Sequence, residues 1–364
     1  MKYICSKCGH EEDIQTLKPK CDCGGLWKLD FQPPKFSRDL IDTNTWSIFR
    51  YRKFMALPDE SWRQVTLGEG MTPIVPLDED VLVKMDYYMP TLSFKDRGAA
   101  VLVSYMKWLG VKQAVQDSSG NAGNSVAAYS GRVGIDCEIF VPEGTSDKKI
   151  WMIEAHGAKA TVVPGNRDHC ADVCRAKVEN EGVYYANHVY NPFFYEGTKT
   201  YIYETFEQLG RIPEHIFIPL GNGTLFIGVM KGLEELLASG AIDHFPQVVI
   251  VQSERCQPFI KAMEKGSHDI TPEAVERTQA EGIAIGLPMR GAEILDYIYR
   301  YKVKSATIPE EKILAAREKL SRRGIYAEHT TAAVYAGYLH YCEEHGRTRD
   351  ALISMCGAGL KSDH

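Results

Sequence analysis

From about residue 80 onward the chain alternates short apolar runs with amphipathic ones, and this alternation narrows the fold more than any other feature. The strand-like runs are VLVKM (81–85), QAVQD (113–117), CEIFVP (137–142), KATVVPG (159–165), VYYAN (183–187), HIFIPLG (215–221), QVVIVQSE (247–254) and ALISMCG (351–357). Between most of them, apolar residues recur at helical spacing: Asn121–Gly134, Asp147–Gly157, Asp168–Glu181, Thr224–Ser239, Glu310–Arg323 and Thr331–His345. Several strand runs are apolar throughout, as expected when helices cover both faces of a sheet. The pattern predicts an α/β fold of doubly wound, mainly parallel sheets. A length of 364 residues exceeds one ordinary core, so two such domains are expected.

Residues 1–31 break the pattern. Their cysteines form two close pairs, Cys5/Cys8 and Cys21/Cys23, each followed closely by glycine. Four thiolates at this spacing read as a small zinc ribbon; a knuckle of reduced structural thiols is the alternative. Cys137, Cys170, Cys174, Cys256 and Cys342 stand singly in expected core elements and read as buried, reduced thiols. FQPPKF (31–36) reads as a stiff connector. A formal charge of −6 argues against nucleic acid as the partner. No apolar run is long enough to cross a bilayer, and MKYICSKCGH has no apolar signal core, so a cytoplasmic location is expected.

In doubly wound folds, ligands sit where strands end and helices begin. Three such turns are unusual. DSSGNAGNS (117–125) combines small residues with side-chain donors ahead of a helix, which suits a substrate carboxylate. PLGNGTLFIG (219–228) reads as a phosphate cradle built from the backbone N–H groups of Gly221, Asn222, Gly223, Thr224 and Leu225. It is neither a Walker loop nor a dinucleotide fingerprint, since Phe226 stands where a third glycine belongs. SMCGAGLKS (354–362) packs glycines and a cysteine into the exit of the last strand. A fourth oddity is Lys95 in PTLSFKDRG (90–98). Ser93 and Asp96 read as a capping box, which puts Lys95 in the first turn of a helix. There the helix dipole disfavours an ammonium, so either Lys95 swings out into water or its amine is wanted neutral. An amine tuned this way is a nucleophile toward an aldehyde and a general base. A lysine, a monophosphate cradle and a carboxylate loop together fit pyridoxal phosphate.

The ordered motifs GEGMTP (68–73), PTLSFKDRG, SSGNAGNSVAAY (118–129), EGTKT (196–200), GNGTLFIG (221–228), AEHTTAA (327–333) and CGAGLK (356–361) resemble those of the threonine synthases and their relatives. These are fold type II, tryptophan-synthase-β-like enzymes that use pyridoxal phosphate, and the cysteine pairs resemble the short ribbon many of them carry. The resemblance implies two α/β domains with the cofactor in the cleft between them: residues 33–96 with 191–364, and residues 97–190. It implies a homodimer and a small amino-acid substrate, phosphorylated in the synthase case. Lys95 is then the lysine to which the cofactor's aldehyde attaches and the group that moves protons. Phe94 lies near the ring, Asn121 bonds its 3′-oxygen, Gly221 to Leu225 hold its phosphate, and Cys356 faces its nitrogen. Ser118, Ser119 and Gly120 take the substrate carboxylate.

The implied reaction converts O-phosphohomoserine to threonine and phosphate. It needs a second, substrate phosphate site, for which Lys84, Arg97, Asn124 and Lys148 are candidates. The chain departs from the synthase pattern at two places. Cys356 stands where those enzymes usually have threonine, and Ala122 stands where a hydroxyl residue is expected. Both departures point to the alternative, β-elimination or β-replacement on serine, threonine or a phosphoserine-like acid.

Overall fold

The computed structural model describes residues 1–361. Ser362, the last residue of the expected C-terminal turn, lies outside them. Strands β1 to β13 are, in chain order, Lys2–Cys5, Glu11–Asp13, Trp27–Leu29, Ile74–Pro76, Val81–Lys84, Gln113–Gln116, Asp136–Pro142, Lys159–Val163, Tyr184–Tyr185, His215–Pro219, Gln247–Ser253, Lys304–Ile308 and Ala351–Ser354. Contacts divide the chain into two compact units. One holds Met1–Met71 and Lys95–Thr200; the other holds Thr72–Phe94 and the chain from Tyr201 onward. Residues 33–71 thus pack with the first unit, where the sequence division had grouped them with the second.

The first unit contains an antiparallel three-stranded sheet, β2-β1-β3, and a parallel four-stranded sheet, β8-β7-β6-β9. The small sheet is the N-terminal ribbon. It is too short for a core of its own and is anchored by aromatic contacts instead. Tyr3 stacks on Trp27 and meets Tyr105 and Phe193 edge-on, and Tyr105 stacks on Phe193 with ring centroids 4.0 Å apart. The Tyr105 hydroxyl donates to the Ile14 carbonyl. Tyr105 belongs to the Lys95–Trp108 helix, so the ribbon is fastened to the helix that begins at Lys95.

Around the parallel sheet, Val115, Phe140, Val163, Cys170, Cys174 and Tyr185 form one apolar cluster. Burial pushes the Cys137 thiol up to about 12 and that of Cys170 up to about 11, so both stay protonated and inert. No disulfide joins any two of the ten cysteines, all of which lie among the described residues.

The second unit is built on a six-stranded sheet, β12-β11-β10-β13-β5-β4, parallel except for β4. The His329–His345 helix covers one face, and Phe217, Val249, Val251, Ala332, Val334, Tyr338 and Ile353 are buried in the joint core. Each buried valine, isoleucine or phenylalanine among them contributes about 1.5–3 kcal/mol. β10 and β13 are parallel neighbours, with Phe217 opposite Ile353, so their C-terminal ends open on one edge. In open parallel sheets that edge is where ligands bind. Among the described residues no helix is long and apolar enough to cross a membrane.

Candidate active site

In the first unit, Lys95 opens the Lys95–Trp108 helix as the sequence predicts, partly buried, with its Nζ 5.9 Å from the Phe194 ring centroid. The predicted capping box does not form. The Ser93 hydroxyl is buried without a hydrogen bond, and Asp96 instead accepts from the Ser125 hydroxyl. That bond ties the helix of Lys95 to the Asn121–Arg132 helix. Gly98 is needed for a close approach: a Cβ there would lie 2.3 Å from Phe194 Cε1.

The Ser118–Gly120 turn follows β6 and leads into the Asn121–Arg132 helix. Its cap residue is Gly120, and no side chain caps the first-turn N–H groups. Ser118, Ser119 and Asn121 are all partly exposed at this turn, as a carboxylate site requires. Ala122 is buried and offers no hydroxyl. Further along this helix, the Tyr129 hydroxyl donates to Glu69 at 2.9 Å. Glu69 also accepts from the Thr66 hydroxyl and the Leu67 N–H, each at 2.9 Å. Burial outweighs these bonds and pushes its carboxyl up to about 7.

In the second unit, the glycine loop leaves β10 and begins the Thr224–Ser239 helix. Gly223 caps that helix at φ 76°, a left-handed conformation that suits glycine, and no side-chain bond caps the first turn. A Cβ at Gly223 would also lie 2.3 Å from Ile294 Cδ1, and one at Gly221 2.9 Å from Ile283 Cα. The loop is therefore a backbone cradle, with the buried Thr224 opening the helix behind it. Its first-turn amides fit a phosphate.

At the neighbouring strand exit, Cys356 is buried with its Sγ 3.5 Å from the Ser354 carbonyl. The Phe94 N–H donates to the Cys356 carbonyl at 2.9 Å, so Phe94 and Cys356 lie side by side. Sequence reasoning assigned no part to the residues that fix this turn. The Thr331 hydroxyl accepts from the Gly357 N–H at 3.0 Å, and the Glu328 N–H donates to the Gly357 carbonyl at 2.9 Å. The AEHTTAA motif, quoted only as a resemblance, supplies both.

Two of the four candidates for a substrate phosphate site are removed by their surroundings. Lys84 is fully buried, 2.7 Å from Glu204 and 3.0 Å from the Thr72 carbonyl. Arg97 is fully buried with Nη1 3.2 Å from the Thr200 hydroxyl. Of the others, Lys148 is exposed, while Asn124 is buried with its Oδ1 unpartnered.

In the ribbon, one Sγ from each of Cys5, Cys8, Cys21 and Cys23 lies within 4.8 Å of all the others. Cys5–Cys23 and Cys8–Cys23 are 3.4 Å apart, and Cys8–Cys21 are 3.8 Å apart. Sulfurs at about 2.3 Å from a tetrahedral zinc stand about 3.8 Å from one another, so the donor set fits that ion.

A family model described as pyridoxal-phosphate dependent enzyme matches residues 65–357. The chain belongs to this family. It is 33% identical to a threonine synthase of Methanocaldococcus jannaschii over 99% of this chain and 93% of the relative. It is 31% identical to one of Methanosarcina acetivorans, over 92% and 85% respectively. Among solved structures, a processed threonine deaminase of Solanum lycopersicum is similar in fold, with a TM-score of 0.71 at 20% identity, covering 92% of this chain and 93% of that one. An O-ureido-L-serine synthase gives a TM-score of 0.67 at 21% identity, over 84% and 93%. The chain is thus a pyridoxal-phosphate dependent enzyme of the type II fold. The glycine cradle and the lysine at a helix start are what such a cofactor requires.

Proposed function

We propose that this enzyme is a threonine synthase-like lyase acting on O-phosphohomoserine. The observation that carries the reading is the full-length similarity to threonine synthases, with Lys95 and the glycine loop both in place. Bound pyridoxal phosphate supplies an electron sink that eases removal of the substrate's Cα proton. Lys95 would anchor the cofactor and move that proton. The N–H groups of Gly221, Asn222, Gly223, Thr224 and Leu225 would hold the cofactor phosphate. Asn121 would bond the ring oxygen, Phe94 would pack near the ring, and Cys356 would serve its nitrogen without the charge a carboxylate would bring. Ser118, Ser119 and the Gly120 backbone hold the substrate carboxylate. The ribbon cysteines bind one structural zinc, and the resemblance supports a homodimer.

A second reading, β-elimination or β-replacement on a serine- or threonine-type substrate, is favoured by Ala122 and by the burial of Lys84 and Arg97 away from a substrate phosphate. Product analysis separates the two. The holoenzyme with O-phosphohomoserine should release phosphate and threonine in equal amounts. Inertness toward that compound, with ammonia formed from serine or threonine, would establish the second reading in place of the first.

A further inference from the structure

β6 and β9 run parallel and side by side, with Val115 opposite Tyr185, so both end at the same edge of the sheet. The Ser118–Asn121 turn leaves β6 at that edge. The segment leaving β9 carries His188, which no part of the proposed mechanism uses. Its side chain is only 6% exposed. Its ring lies 5.6 Å from that of Phe194 in an edge contact, and Lys95 Nζ lies 5.9 Å from the same Phe194 ring. His188 therefore sits beside both the lysine and the carboxylate turn.

Its protonation follows from its neighbours. Gln116 Nε2 lies 3.0 Å from His188 Nδ1, and the amide N–H donates to that nitrogen. The ring proton is then on Nε2. Burial, reinforced by the charges of Lys95 and Arg167, holds the imidazole neutral. The Nε2–H makes no hydrogen bond with any described residue. Gln116 Oε1, on the amide that pairs with His188, is buried with no partner, and Asn124, on the helix that the carboxylate turn opens, likewise keeps a buried Oδ1 without one. Buried acceptors left unmade are costly. The unbonded ring nitrogen and the orphaned amide oxygen beside it mark a place where a ligand completes the bonding.

We propose that His188 is a substrate-recognition residue whose Nε2–H donates to an oxygen on the side chain of the amino-acid substrate. This rests on the amino-acid lyase reading above. The carboxylate turn grips the common end of any amino acid, so selection among them must come from a group facing the side chain. A neutral N–H donor selects oxygen-bearing side chains over alkyl ones.

The test uses holoenzyme and ligand pairs that differ in that oxygen: serine with alanine, and O-phosphohomoserine with 2-aminobutyrate. Dissociation constants are read from the initial change in cofactor absorbance for wild type, His188→Ala and His188→Gln. Loss of one such bond should weaken the oxygen-bearing member of each pair about tenfold in His188→Ala. The alkyl member should be unaffected, and His188→Gln, which keeps an N–H donor, should recover part of the loss. Equal weakening of both members, or no weakening, overturns the proposal. If O-phosphohomoserine yields no threonine, the substrate reading fails, while serine against alanine still decides the role of His188. Absence of binding by every ligand overturns both.

Discussion

Burial and hydrogen bonding pull in opposite directions at Glu69, and burial wins. The carboxyl is enclosed, accepts three hydrogen bonds, and is still pushed up to about 7. In the unfolded chain it returns to its usual value near 4.5. A folded value above the unfolded one means that the protonated form favours the fold. The contribution is therefore full below about pH 4.5 and lost as pH rises through about 7. Across that window the loss is on the order of 3 kcal/mol. Urea midpoints measured from pH 4.5 to 7.5 should fall for wild type relative to Glu69→Gln, which cannot ionise; parallel curves for the two would contradict this account. Residues of this kind were only partly legible in the sequence. Lys95 stood out because a lysine is unusual at a helix start, and the glycine loop because two glycines separate a strand run from a helical one. Glu69 appeared only inside a quoted motif, and His188 carried no signal, since a lone histidine has no spacing to betray it. Only the pairing of β9 with β6 brings it to the edge that also carries the carboxylate turn.

At the scale of elements, the strand and helix runs from residue 80 onward were readable because burial on both faces makes parallel strands continuously apolar. The short edge strand β4 was not, since it joins its sheet antiparallel through a three-residue contact that no periodicity reveals. The capping box at Ser93 lacks its hydroxyl bond, while Asp96 accepts from Ser125, a tertiary contact that local sequence cannot record. The ribbon is the element whose integrity most depends on something outside its own packing. Its four sulfurs are spaced for an ion, and its aromatic anchors are Tyr3 and Trp27. Cys5→Ser combined with Cys8→Ser should abolish zinc binding in elemental analysis and expose residues 1–31 to limited proteolysis, while the parallel sheets stay folded by circular dichroism. Undiminished zinc content in that variant would contradict the assignment of these ligands.

At the scale of the whole molecule, Lys95, Asn121 and the carboxylate turn belong to the first unit, and Phe94, the glycine loop and Cys356 belong to the second. The order of motifs along the chain did not disclose the boundaries of the units. Residues 33–71 read as an extension of the second unit because they precede its first strands, yet they pack in the first. Two of their contacts explain why: Lys199 donates to the Phe54 carbonyl at 2.7 Å, and the Ala56 N–H donates to Glu196 at 2.8 Å. The buried Glu196–Lys199 pair of the EGTKT motif thus serves to fasten this segment, which a motif alone does not disclose. The same distinction separates Lys95 from the other buried lysines. Lys84 and Lys199 are fully enclosed and ion-paired, and Lys361 donates to the Thr91 carbonyl at 2.7 Å. Lys95 alone among these four opens a helix of the parallel α/β core with partial exposure. The central claim is that this is the lysine that holds the cofactor. The most direct measurement is borohydride reduction of the pyridoxal phosphate holoenzyme followed by peptide mapping by mass spectrometry. The account predicts a pyridoxyl label on Lys95 and no label in Lys95→Ala. A label on Lys84, Lys199 or Lys361, or undiminished labelling of the Lys95→Ala variant, would contradict it.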